Sequence, residues 1–335
     1  MPKPSDQVPG SPVLCSAQMN RVKPNDPVVG HLSESWICSH AQSPNIVRHI
    51  AIDVSGTPLE GSFVAGQSFG VLPEGLNDQG QSHKVRLYSI ACSSAGEDGQ
   101  GAVLSTTVKR LIEEYKPQGP GDDVGRHDLF LGVCSNQLCD LKIGAPVRVS
   151  GPNGRRFVLP ENPELHDYLF VATGTGIAPF RGMIQELFPD DGPVSQRQVH
   201  LVMGVPYGTD LLYHDEFLRY AQIHENFHYH IAISRQRTDG WQEKGPGRGV
   251  YVDQAIETHW DLLGPLLEQE GTLIYVCGID GMQLGIFQCL VRHGLEGPYL
   301  KIQDALKDVP VDDWKVGQVR RDIRPSSRLM LEVYD

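Results

Sequence analysis

The apolar residues of the chain fall into two textures that meet near residue 160. Between Asn20 and Pro160, short β-prone runs such as Val47-Arg48-His49-Ile50-Ala51-Ile52 and Val147-Arg148-Val149-Ser150 are punctuated by Gly, Pro and Asn. β-branched residues suit a pleated, half-buried surface and the punctuation suits tight connections, so this region predicts an antiparallel β-barrel or sandwich. One stretch is ambiguous: in 105–115 (STTVKRLIEEY), Val108, Leu111 and Ile112 have helical spacing, while the threonines favour a strand equally. Beyond 160, apolar strands at 169–172, 199–203, 228–233 and 273–277 alternate with helical patterns at 178–188, 213–221, 250–260 and 281–293. That repetition predicts an α/β, Rossmann-like parallel sheet with helices on both faces.

The pattern divides the chain into a flexible arm (1–18), a β domain (19–160) and an α/β domain (161–335). A length of 335 residues suits two domains, each with its own core. The arm is rich in Pro, Ser and Gln and lacks the apolar centre of a secretory signal. The Gly-rich stretch 117–128 reads as a surface insertion. No apolar run reaches the roughly eighteen residues of a membrane helix, so integral membrane association is not expected. A net charge of -12 opposes general binding to nucleic acid or anionic lipid. Seven cysteines without dense, regular spacing favour a reducing compartment over a disulfide scaffold.

The clearest motif is Val171-Ala172-Thr173-Gly174-Thr175-Gly176-Ile177-Ala178-Pro179-Phe180, where an apolar strand gives way to a helix. Glycines let backbone N–H groups approach a phosphate, and a helix N-terminus directs partial positive charge at it. The loop is not a Walker A, and Pro179 breaks the full G-x-G-x-x-G, so a ligand-free turn competes with a dinucleotide site. In Arg86-Leu87-Tyr88-Ser89-Ile90-Ala91, a cation, an aromatic and a hydroxyl alternate along a strand; this suits a flavin but also any amphipathic strand. Gly132-Val133-Cys134-Ser135 offers small residues and backbone N–H groups for half of a pyrophosphate cradle at a helix start, with Ser135 as the cap. Cys134 and Cys139 begin the spacing of an iron–sulfur site, but Lys142 stands where the third ligand belongs and no zinc-type pair accompanies them, so no metal is assigned.

These strings, taken in order, closely resemble the plant-type ferredoxin–NADP reductases. The matching segments are Val22 to Pro27, Gly66-Gln67-Ser68, 84–91, 132–141, Ser150-Gly151-Pro152, 173–181, Leu211-Leu212-Tyr213, Ser234-Arg235, Val276-Cys277-Gly278 and Glu332-Val333-Tyr334. The resemblance implies a β-barrel that binds FAD through Arg86, Tyr88, Ser89, Val133, Cys134 and Ser135, followed by a domain that binds NADP(H). It implies that Tyr334 covers the outer flavin face, that Gly174, Thr175 and Gly176 hold the nucleotide pyrophosphate, and that Ser89, Cys277, Glu332 and Tyr334 form the catalytic set. Ser234 and Arg235 end a strand where a hydroxyl and a guanidinium suit a 2′-phosphate, with Tyr251 placed to stack on adenine; no acidic residue stands there for a ribose hydroxyl.

The implied reaction is electron transfer between NADP(H) and ferredoxin or flavodoxin, in bacterial cytoplasm or plastid stroma. An oxygenase reductase component and a non-catalytic nucleotide-binding module are the alternatives. Lys315, Arg320, Arg321, Arg324 and Arg328, with Asp322 as the one acid among them, form a basic run suited to steering an acidic carrier. The chain departs from the family pattern in carrying Asp335 after the stacking tyrosine, in having Leu329 and Met330 where a Trp is typical, and in offering only Tyr115 as an adenine-stacking aromatic near Glu113 and Glu114.

Overall fold

A computed structural model describes residues 9–114, 129–236 and 249–334; Tyr115, the 117–128 stretch and Asp335 lie outside the described residues. The first half contains strands β1 (Val28–Ile37), β2 (Val47–Asp53), β3 (Ser68–Val71), β4 (Arg86–Ser89) and β5 (Val103–Lys109). A short antiparallel pair, β6 (Ile112–Glu114) and β7 (Leu129–Leu131), leads into helix α1 (Val133–Asp140) and then β8 (Pro146–Asn153). Among the described residues, six of these strands form one antiparallel sheet in the order β4-β3-β8-β1-β2-β5. Its two ends meet, because Ile90 bridges Thr106 and the Ala91 N–H donates to the Ser105 carbonyl at 2.8 Å, which closes the sheet around Ile50, Ile52, Phe69, Leu104, Val108 and Val149.

The ambiguous segment is therefore strand from Val103–Lys109. Both of its faces are covered: Leu104 and Val108 fill the barrel, while the Thr107 hydroxyl bonds the Tyr213 hydroxyl of the second half at 2.7 Å. Residues 9–18, read from composition as part of a flexible arm, are instead seated. Glu161 donates to the Val13 carbonyl at 2.8 Å, Cys15 to that of Leu159 at 3.1 Å, and Gln67 Nε2 to that of Gln18 at 2.8 Å.

The second half contains β9 (Tyr168–Thr173), α2 (Ala178–Leu187), β10 (Val199–Val205), α3 (His214–Ile223), β11 (Phe227–Ile233), α4 (Val252–Thr258), α5 (Trp260–Glu268), β12 (Leu273–Ile279) and α6 (Met282–Arg292). Short elements follow: α7 (Glu296–Tyr299), β13 (Leu300–Ile302), α8 (Asp304–Lys307), α9 (Val316–Asp322), β14 (Ile323–Pro325) and β15 (Leu329–Tyr334). Five strands form a parallel sheet in the order β11-β10-β9-β12-β15. The central strands are apolar throughout because both faces are covered. Phe170, Met203 and Tyr275 pack with α2 and α3, and Val171, Val202 and Val276 pack with α4, α5 and α6. The helix expected at 250–260 is two helices joined at His259, and α5 carries Pro265 inside it. The edge strand β15 has no recognisable periodicity in sequence; it is held in register by β12.

Helix α2 docks the two halves together. Arg181, in its first turn, is only 8% exposed. Its Nη1 donates to Glu97 at 2.5 Å and to the Ala91 carbonyl at 2.9 Å on the barrel, while its Nε donates to Glu216 of α3 at 2.8 Å. The guanidinium also lies 5.0 Å from the Tyr213 ring centroid. The two carboxylates outweigh the cost of burying the Arg181 cation and hold its pKa above the ordinary guanidinium value, while Arg181 keeps the Glu97 carboxyl below the ordinary range. Phe157, just past β8, packs on Phe180 and Tyr275 with centroids 5.7 and 5.4 Å away.

Two expectations follow from this core. Arg181→Ala leaves two largely buried carboxylates without their cation and should cost on the order of 3–5 kcal/mol in urea unfolding; a loss under about 1 kcal/mol would show that the network does not lock the halves. The second concerns histidines. His200 and His230, neighbours on β10 and β11, share a hydrogen bond of 3.1 Å in the interior. Burial first, and neighbouring imidazoles second, hold them down to about 3 and about 4, and burial brings His49 to about 4. The folded values lie below the unfolded one, so the stability they contribute is complete above about pH 6.5 and is lost as pH falls towards 4, where only the unfolded chain takes up the protons. Unfolding free energy measured between about pH 7 and 5 should fall by up to roughly 1.4 kcal/mol per pH unit per histidine, and His230→Gln should flatten the slope. A stability unchanged over that interval would contradict this account.

Candidate active site

The site forms where the carboxyl ends of β9 and β12 separate, the place at which parallel sheets bind ligands. After Thr173 the chain makes a single 3-10 turn, Gly174–Ile177, and passes directly into α2. Gly174 is left-handed, with φ 53. Gly176 has no room for a side chain, since a Cβ there would lie 2.3 Å from the Cys277 carbonyl oxygen. The Thr173 hydroxyl accepts the Ile279 N–H at 2.9 Å and ties the turn to β12. The result is a tight loop that passes directly into a helix start, the end of a helix at which backbone N–H groups and partial positive charge face outward.

The register of β12 against β15 sets Cys277 opposite Glu332 and Ile279 opposite Tyr334. The Asp280 N–H donates to the Tyr334 carbonyl at 2.8 Å, and the Tyr334 hydroxyl shares a hydrogen bond of 2.9 Å with that of Thr175. Cys277, 1% exposed, is kept a neutral thiol by burial and by the Glu332 charge beside it. Burial pushes the Glu332 carboxyl up to about 7, which makes it able to gain and lose a proton near neutrality. That carboxyl reaches the rim of the barrel: a Cβ on Gly154, just past β8, would lie 3.9 Å from it. Tyr334 remains 40% exposed.

On the barrel side, β4 and α1 come together. The Tyr88 hydroxyl and the Cys134 thiol are close enough to act on one another, and Arg86 acts on both. Val133 is exposed at the first turn of α1, Cys134 is buried, and Ser89 pairs with Ser68 across β3 and β4. Among the described residues no hydrogen bond joins Ser89 to Cys277, Glu332 or Tyr334. Ser135 does not cap α1: the N-cap is Gly132, and the Ser135 hydroxyl donates to its carbonyl and accepts the Leu111 N–H, both at 3.3 Å. This contact holds α1 to the strand region before it.

A third cluster stands at the far end of the sheet. Ser234 and Arg235 follow β11 directly, and Gly249 and Val250 return to donate to the carbonyls of Ser234 at 3.2 Å and Ile233 at 2.8 Å. Tyr251, next in line and 54% exposed, opens α4 beside them. The backbone thus brings together three residues that sequence separates.

Comparison with known proteins agrees with this geometry. Residues 170–286 match the oxidoreductase NAD-binding domain family. The chain is 34% identical over 275 residues to the chloroplastic ferredoxin–NADP reductase leaf isozyme 1 of Oryza sativa subsp. indica, covering 81% of this chain and 71% of that protein. It is 32% identical over 319 residues to the leaf isozyme 1 of Arabidopsis thaliana, covering 94% and 79%. The chain belongs to the ferredoxin–NADP reductase family. A cyanobacterial member, from Thermosynechococcus vestitus, is 34% identical over 275 residues, covering 81% and 67%. The solved ferredoxin-NADP+ reductase of Plasmodium falciparum with 2′P-AMP shares the fold, with a TM-score of 0.66 at 20% identity over 94% of this chain and 99% of that one.

The basic run before β15 needs correction for this family member. Arg328 is buried at the start of the strand, donating to the carbonyls of Thr272 at 3.1 Å and Gln269 at 2.7 Å and to the Tyr299 hydroxyl at 3.0 Å, so it is structural. Arg320 pairs with Asp280, and Arg321 with Asp322 at 2.7 Å. Asp280 lies forty positions from Arg320, so a charge count along the run misses it. Arg181, Glu97 and Glu216 escaped sequence reasoning for the same reason: nothing local marks an ion pair between domains.

Gly176→Ala tests the loop. Its new methyl meets backbone rather than a flexible side chain, so the loop or the Cys277-Gly278 turn must shift by about an ångström, which costs of order 10²-fold when reacting groups depend on the position. The expected outcome is a fall of that size in NADPH-dependent kcat/KM with the far-ultraviolet spectrum retained; wild-type turnover would show that the close approach has no bearing on the site.

Proposed function

We propose that this chain is an FAD-dependent ferredoxin–NADP(+) reductase, with residues 19–160 carrying FAD and residues 161–335 carrying NADP(H). The observation that carries this reading is the convergence of Cys277, Glu332, Tyr334 and Thr175 on the barrel rim at Gly154. It supplies a neutral surface with one titratable carboxyl, Glu332, at the barrel rim, and the barrel itself carries the cationic, aromatic and helix-start groups of Arg86, Tyr88 and α1. That donor set suits a flavin dinucleotide: the α1 amides of Val133, Cys134 and Ser135, with Arg86, would hold the pyrophosphate, and Tyr88 would lie along the ring. When bound, FAD supplies the chemistry, accepting a hydride equivalent from nicotinamide and releasing electrons one at a time.

The chain's own residues bind, orient and exclude water. The amides of the Gly174–Gly176 loop hold the nucleotide pyrophosphate at the start of α2. Tyr334 occupies the nicotinamide place until the coenzyme enters; among the described residues its hydroxyl is held by the Thr175 hydroxyl, a bond worth about 1 kcal/mol. Cys277 packs as an uncharged wall, and Glu332 holds or releases a proton at its carboxyl. Ser234 and Arg235 grip the 2′-phosphate and Tyr251 stacks on adenine. The electron carrier is ferredoxin, with flavodoxin as the second partner, approaching the edge near Lys315, Arg321 and Arg324. The compartment that fits is a soluble one, bacterial cytoplasm or plastid stroma; among the described residues no helix is long and apolar enough to cross a membrane.

Anaerobic titration tests the reading directly. NADPH should bleach the flavin absorbance at concentrations roughly 10²- to 10⁴-fold below those NADH requires, the preference of two or three charge-assisted bonds, and Arg235→Ala should remove at least about tenfold of it. A protein that is colourless and takes up no FAD, or one bleached equally by both coenzymes, would refute the assignment.

A further inference from the structure

Away from the flavin and nucleotide clusters, α4 and α6 enclose a set of groups that electron transfer does not use. Glu257, in the last turn of α4, faces Cys289 of α6 and His293, the residue that caps the end of that helix four positions later. Their ligand atoms, one carboxylate oxygen, one thiol sulfur and one imidazole nitrogen, all lie within 4.8 Å of one another. We propose that Glu257, Cys289 and His293 form a site for a zinc-class divalent cation that clips α4 to α6.

The helices are built to meet there. Gly285, one turn before Cys289, faces Asp253, one turn before Glu257, so closely that a Cβ on it would lie 2.6 Å from the Asp253 carboxyl carbon. Only glycine allows that approach, and it carries the next turn of each helix into contact. His293 Nε2 is 2.7 Å from a Glu257 carboxylate oxygen, and its ring is fixed by stacking on Trp260 with centroids 3.5 Å apart. Cys289, only 1% exposed, points its thiol at the same carboxylate; burial and that charge keep it protonated while no cation is present.

The donor set selects the ion. A thiolate, an imidazole and a carboxylate are the mixed ligands of zinc, and tetrahedral bonds of about 2.0 to 2.3 Å place ligand atoms roughly 3.3 to 3.5 Å apart. Reaching that geometry asks the sulfur to close in slightly and the His293–Glu257 pair to open slightly. On binding, the Cys289 thiol gives its proton to solvent, His293 coordinates as neutral imidazole through Nε2, and Glu257 through one oxygen, so thiolate and carboxylate balance the dication. Solvent fills the fourth position, since Glu257 and His293 are both partly exposed. Arg292 lies 3.6 Å from Glu257, and Asp312 shares its charge through contacts of 2.6 and 3.1 Å, which lessens its repulsion of the cation. The clip would also steady α4, whose first turn follows Tyr251.

Cobalt reports on such a site through long-wavelength ligand-field bands clear of oxidised flavin and through a near-ultraviolet charge-transfer band read in the difference spectrum against the metal-free protein. The full-length protein, freed of metal by chelator and titrated with Co²⁺, should show the visible bands of tetrahedral cobalt and a thiolate charge-transfer band, both abolished by Zn²⁺. Cys289→Ser should remove the charge-transfer band. His293→Gln, a surface change, should weaken cobalt binding beyond the roughly 10–100-fold that loss of a supporting contact costs. Absence of tetrahedral bands in the unaltered protein, or their retention in His293→Gln, would overturn the proposal, and the second variant decides the matter if Cys289→Ser does not fold. These readouts do not depend on reductase activity, so failure here leaves the assigned reaction standing.

Discussion

The arrangement of this enzyme depends on how one helix is held. Helix α2 begins in the Gly174–Ile177 loop and, in its first turn, sends Arg181 across to Glu97 of the barrel. One rigid element therefore positions both that glycine loop and the boundary between halves. A buried ion pair adds little net stability compared with apolar packing, because desolvation offsets most of the attraction. Its directional bonds do what apolar packing cannot: they fix rotation and register. Here Glu97, Glu216 and the Ala91 carbonyl constrain the guanidinium from separate directions.

The same boundary stores strain. Tyr213, at the start of α3, has φ 53, a left-handed conformation that costs a bulky residue about 1–2 kcal/mol. It persists because its hydroxyl is shared with Thr107 at 2.7 Å and His49 at 3.0 Å, both on the barrel. Docking and local backbone geometry thus require one another, and neither half alone would hold that conformation.

The C-terminal strand shows the opposite design. Its entry is fixed by Arg328 on Thr272, Gln269 and Tyr299, and its exit by the Asp280 N–H on the Tyr334 carbonyl. The backbone that carries Glu332 and Tyr334 is consequently firm, while the Tyr334 ring is partly exposed and its hydroxyl is bonded to that of Thr175.

By itself, the sequence determined the two textures of the chain and the alternation of central strands and helices in the second half. Continuous apolar runs such as those of β9 and β12 announced a covered parallel sheet, and the Thr173 to Phe180 string announced its ligand loop, because local periodicity and glycine spacing reflect local backbone requirements. Ser234, Arg235 and Tyr251 were legible as chemistry, and the structure brought them side by side. Tertiary structure alone decided the strand character of 103–109, which rests on cover from both halves, and the edge position of β15. It decided which arginines are free to meet a partner, since Arg328 is buried and Arg320 answers to a distant aspartate. It also decided the Arg181 lock and the Glu257, Cys289 and His293 cluster. The physical reason is common to these cases: electrostatic partners and packing faces are chosen by proximity in space, and a linear pattern carries no term for residues that fold together from far apart.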